Sequence, residues 1–209
     1  MQLITTEVNA VVVAESHNPS IVTKEWLAQY ELVSGEVTNF VHTPPLSVVE
    51  YGKGGLFIQV DAQRLLVRQR GEGLVPEQIE VPRITKTYVD LLPHVPYTAH
   101  GVNFHGYFAF DSEPDAVAFV RKRFLVPNSV KIADVASGAI RLGIKASYRW
   151  ERAECTLFGE PTGHDSKGRV LVSLNYHVPE AGAELVRETM DSMPALWENF
   201  RNVAANFSG

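Results

Sequence analysis

Apolar and polar side chains alternate along the mid-chain stretch YTAHGVNFHGYFAF, residues 97–110. Val102, Phe104, Phe108 and Phe110 form one set; Asn103, His105 and Tyr107 form the other. A period of two marks a half-buried β-strand, not a helix. Residues 7–15 (EVNAVVVAE) are apolar and β-branched on both faces, which suits a central strand. Residues 46–51, 56–60 and 64–70 read as a three-strand meander, with Gly52-Lys53-Gly54-Gly55 as its first turn. A second meander is predicted over residues 138–148, 150–158 and 169–178, the last two joined by the loop GEPTGHDSKG. Residues 33–43 look polar and irregular.

Helical spacing falls between these strands. Thr23 is a plausible N-cap for a short helix with Trp26, Leu27 and Tyr30 on its apolar side. Ile79, Ile84, Tyr88, Leu91 and Leu92 give a helical pattern over residues 78–92, and Pro82 limits how early it starts. Asp111-Ser112-Glu113-Pro114 opens a helix to about Phe124, with Val117, Val120 and Phe124 inward. From Ala183 to Phe207 apolar residues recur at three- and four-residue steps, and Pro194 should kink that helix.

Element order is then β-α-β-β-β-α twice, over residues 1–95 and 96–209, together one compact unit. The expected fold class is α+β: two such halves forming one curved antiparallel sheet, with helices packed on one face. Their first strands should lie near a pseudo-twofold, and outer strands such as residues 64–70 would offer edges for self-association. At fold level this order resembles the duplicated TATA-binding-protein-like and helix-grip folds, without a DNA-reading motif. Asn18-Pro19-Ser20 with Trp26-Leu27, then Leu92-Pro93-His94-Val95-Pro96-Tyr97 and Gly101-Val102-Asn103-Phe104, resemble a family of uncharacterised bacterial proteins. That resemblance implies a bacterial protein and no particular activity.

Composition narrows the classes. Apolar residues make up 45% and charged residues 21%, ordinary for a globular chain, and a net charge of −5 gives no basic footprint for nucleic acid. One cysteine, Cys155, excludes an internal disulfide and any multi-thiolate zinc site. The N-terminus lacks a basic n-region, and no apolar run reaches the ~20 residues that span a bilayer, so a cytoplasmic protein away from membranes is expected.

Chemistry is sparse. No G-x-S-x-G elbow or phosphate loop occurs, and the Gly52–Gly55 turn opens no helix. His100 and His105 are an odd number apart, so one strand points them to opposite faces and no metal site is expected. Cys155 alternates with Ala153 and Leu157 and reads as a packed small hydrophobe. The Glu160, His164 and Asp165 loop reads as a hairpin connection, or else a ligand loop.

The best candidate is the sheet face away from the helices. Asn103, His105, Tyr107, Arg141, Lys145, Arg149, Asn175 and His177 should share it, cationic at one end and hydrogen-bonding in the middle. The plain alternative is a merely solvated face. The favoured reading is a non-catalytic binding or assembly module with a protein partner or self-association, and no cofactor. Its rival is a small-molecule pocket or enzyme between sheet and helices, lined by Asn103, His105, Asn175 and His177. A third is nucleic-acid binding through Arg141, Lys145, Arg149 and Arg152, which the acidic net charge disfavours.

Overall fold

The computed structural model describes residues 1–32, 35–52, 55–124, 142–164, 167–180 and 182–208. Among the described residues nine strands form one open antiparallel sheet: β1 (Ile4–Ala14), β2 (Val37–Thr43), β3 (Leu46–Tyr51), β4 (Leu56–Asp61), β5 (Arg64–Arg70), β6 (Tyr97–Phe110), β7 (Ile144–Trp150), β8 (Ala153–His164) and β9 (Lys167–Val178). Their spatial order is β2-β3-β4-β5-β1-β6-β9-β8-β7. The helices are α1 (Lys24–Gln29), α2 (Val81–Leu91), α3 (Glu113–Phe124), α4 (Ala183–Asp191) and α5 (Met193–Ser208), with 3-10 turns at Pro19–Ile21 and Pro76–Gln78. The fold is α+β, as the alternation implied.

The two leading strands meet at the middle, where β1 pairs β6 from Ile4↔Tyr107 to Ala14↔Tyr97. β5 flanks β1, and β9 flanks β6. Each meander therefore ends with its last strand beside a central strand, β5 beside β1 and β9 beside β6. Inward residues alternate as the pleat requires: Val8, Ala10 and Val12 on β1, Val102, Phe104 and Phe108 on β6, and Val170, Val172 and Leu174 on β9 are all buried. Phe104 stacks on Phe200 of α5 and meets Trp197 and Tyr176 edge-on. Helix α3 lies over the other end of the same face, where Phe124 contacts Phe207 of α5. Cys155 is buried among these residues, as its alternation predicts.

Several boundaries differ from the sequence expectation. Residues 37–43 are a strand, not irregular. β2 lies at the sheet edge with most side chains exposed, so backbone pairing to β3 holds it and no hydrophobic pattern announces it. Because β2 takes the edge, β5 is interior, between β4 and β1, and offers no free edge. The GEPTGHDSKG loop is mostly two strand ends, paired out to His164↔Lys167; Asp165 lies outside the described residues. The final helix is two helices parted at Ser192, with Pro194 in the first turn of α5, where its missing N–H costs nothing. On α3 the buried face is Ala116 and Val120, with Phe119 against Phe110, while Phe124 is 38% exposed. Residues 138–141 of the expected seventh strand lie outside the described residues, and the strand runs Ile144–Trp150.

Candidate functional site

Strand register lays the open face out in rows. The middle row reads Arg68, Asn9, Asn103, Asn175, Thr156 and Ser147 across β5, β1, β6, β9, β8 and β7. Beside it runs Arg70, Glu7, His105, Ser173, Phe158 and Lys145. On the other side come Leu66, Val11, Gly101, His177, Glu154 and Arg149. Five of the eight expected residues, Asn103, Asn175, His105, His177 and Tyr107, thus sit on the two adjoining strands β6 and β9. Lys145 and Arg149 stand on the same face of edge strand β7, and Arg141 lies outside the described residues.

The three asparagines form a directional relay. Asn175 Nδ2 donates to Asn103 Oδ1 at 2.6 Å, and Asn103 Nδ2 donates to Asn9 Oδ1 at 2.7 Å. Asn9 Nδ2 in turn donates to Glu7 Oε1 at 2.9 Å, and Arg70 Nε reaches Glu7 Oε2 at 2.5 Å. Burial works against ionising Glu7, yet the bonds from Arg70 and Asn9, with His105 nearby, outweigh it and hold the carboxyl below its usual range. Burial lowers His105 instead, against the pull of Glu7, so the imidazole is neutral near pH 7. These side chains are therefore held in place before any partner arrives.

Next to the relay lies a hollow of about 440 Å³ whose lining includes Glu7, Arg70, His105, Ser173, Phe158 and Leu171. Phe158 and Leu171 are 37% and 38% exposed, large apolar groups beside the polar side chains of β6 and β9. Ser173, His105 and Glu7 have the residue types of nucleophile, base and acid. However, among the described residues no hydrogen bond joins Ser173 to His105, and His105 Nε2 stands 3.9 Å from Glu7 Oε1. The row offers recognition groups, not an assembled triad.

The remaining candidates have other duties. Tyr107 is 5% exposed: its ring lies under the Arg169 guanidinium, 4.2 Å from the centroid, and its hydroxyl bonds Glu72. Arg149 stands opposite Glu154. Arg152 occupies the β7–β8 turn and reaches Glu188 of α4 at 3.6 Å, so it does not extend a basic stripe with Lys145. His100 projects to the helix side and bonds Thr189 Oγ1 at 2.7 Å, opposite to His105. Asn103, His105, Asn175 and His177 line no cavity between sheet and helices among the described residues.

Glu7, Asn9 and Arg70 were missed because the β1 run looked apolar on both sides. The signal was present: Glu7 and Asn9 are two apart, and so share a face. Leu171 and Phe158 could have been noticed as apolar residues on the polar side of alternating strands. Among the described residues no helix is long and apolar enough to cross a membrane. No protein-family model matches this chain, and no curated protein matches it.

Proposed function

We propose that this chain is a binding module whose open sheet face takes a protein partner. One observation carries the reading: exposed Phe158 and Leu171 wall a hollow beside the braced Glu7–Arg70 pair, on the sheet face that no helix covers among the described residues. Apolar anchors next to fixed charges are what a partner's hot-spot side chains use. The Asn175–Asn103–Asn9 relay supports it, since side chains already ordered lose little entropy on binding. A cytoplasmic setting belongs to the same reading and rests on the lone, buried Cys155.

The test is capture from cells that make the protein, with cross-linking before lysis. Phe158→Glu and Leu171→Glu should each lose the partner that the unaltered chain retains. Arg201→Glu, on the helix side, should keep it. Equal retention by all variants would remove the open face from consideration.

A further inference from the structure

A strand at a sheet edge presents unpaired N–H and C=O groups, and natural sheets blunt such edges with charge, proline, bulges or a covering element. The two edges of this sheet are treated differently. β7 carries Lys145 and Arg149. β2 has the sequence VTNFVHT, with no charged residue, no proline and no glycine. Its one irregularity is a register shift between Val37 and Asn39, which leaves Asn39 to Thr43 regular. Val41 is 42% exposed in the middle of that regular part.

We propose that β2 is a self-association edge: two copies pair β2 to β2, antiparallel, about a twofold axis through Val41. An axis there sets each Val41 against its counterpart on the open face and Asn39 opposite Thr43 on either side. On the helix side it sets Phe40 of one copy opposite His42 of the other, repeating the parallel stacking these two rings have within the chain at 5.7 Å. Such cross-strand pairs are the unit of sheet stabilisation. Lys24 lies over the Phe40 ring on the same side of the strand. A strand partner from another protein would also satisfy the backbone, but only a second copy makes the edge match itself.

The twofold runs perpendicular to the sheet, so the two open faces continue into each other. The dimer stands independently of the partner reading above. A single strand pair buries less than the ~1,000 Å² typical of a stable interface, so a weak, concentration-dependent dimer follows. Sedimentation over roughly a hundredfold concentration range should see the mass rise from the 23.2 kDa protomer to twice that value and level off. Val41→Lys puts like charges on the axis and should hold the protomer mass throughout, with an unchanged melting temperature. Thr43→Lys, one pleat further along, should weaken the dimer less. Leu171→Glu, which removes the partner anchor, should leave dimerisation intact. A mass that stays at one protomer, a mass that grows without levelling, or an unaffected Val41→Lys variant each overturns the proposal.

Discussion

Asn103 and Asn9 are register partners at the joint between β6 and β1, and the Asn103 side-chain amide donates to the Asn9 oxygen at 2.7 Å. This bond lies at the centre of the sheet. It is satisfied only when β1 and β6 are correctly aligned, because a one-residue slip would turn one of the two amides to the helix side. Asn103 thus works as a register pin as well as a candidate contact.

Asn103→Ala should cost about 1–2 kcal/mol in urea unfolding, since it leaves Asn9 Oδ1 and Asn175 Nδ2 without partners. Asn9→Ala together with Asn103→Ala should cost less than the two single losses combined, because the groups share one network. Strict additivity would mean the relay is not coupled.

The two faces of the sheet should respond in opposite ways. Phe158→Glu and Leu171→Glu should keep stability within about 0.5 kcal/mol, because both side chains are more than a third exposed. Leu174→Ala, at 0% exposure on the helix face of β9, should cost about 2–5 kcal/mol. Thermal melts of the three variants make the comparison.

Burial, aided by neighbouring His177, pushes His100 down to about 4. The unfolded chain, at the ordinary 6.5, therefore takes up this proton first as pH falls. Above pH 6.5 the residue is neutral in both states and contributes no pH dependence. Between 6.5 and about 4 the folded state should lose stability, by about 3 kcal/mol in all at ~1.4 kcal/mol per unit. His100→Gln can keep a hydrogen bond to Thr189 and cannot titrate. Its urea midpoint should fall less steeply over that window than that of the unaltered chain, and identical slopes would contradict the assignment.

Two glycines separate packing from backbone strain. A Cβ at Gly168 would stand 1.9 Å from the Ser112 carbonyl oxygen, where α3 starts against β9, so Gly168→Ala should cost about 3 kcal/mol. Gly73 has open space around it but a φ of +70°, and Gly73→Ala should cost about 1–2 kcal/mol from that backbone alone. Denaturant unfolding should rank them in that order.

Most of the architecture was legible in residues 97–110 and 169–178, where alternation is regular and one face is buried. It placed Asn103, His105, Asn175 and His177 correctly on one face. Legibility failed where burial does not impose a pattern. β2 has almost no buried side chain, so nothing in its composition separates it from a loop. β1 lies at the sheet centre, and half-buried Val11 and Val13 hid the polarity of Glu7 and Asn9 on the same side. The positions of Lys145 and Arg149 were legible, but the carboxylate opposite Arg149 was not. Only the register reveals that Glu154 faces Arg149.

Because β1 is flanked by β5 on one side and by β6 on the other, the middle of the sheet is completed late in synthesis. A ribosome that has released only residues 1–95 leaves the valine-rich β1 with one flank bare. That flank closes only after Tyr107 emerges. The nascent chain therefore passes through a stage in which its most hydrophobic strand is open to mispairing. During that interval, chaperone cover would be needed most.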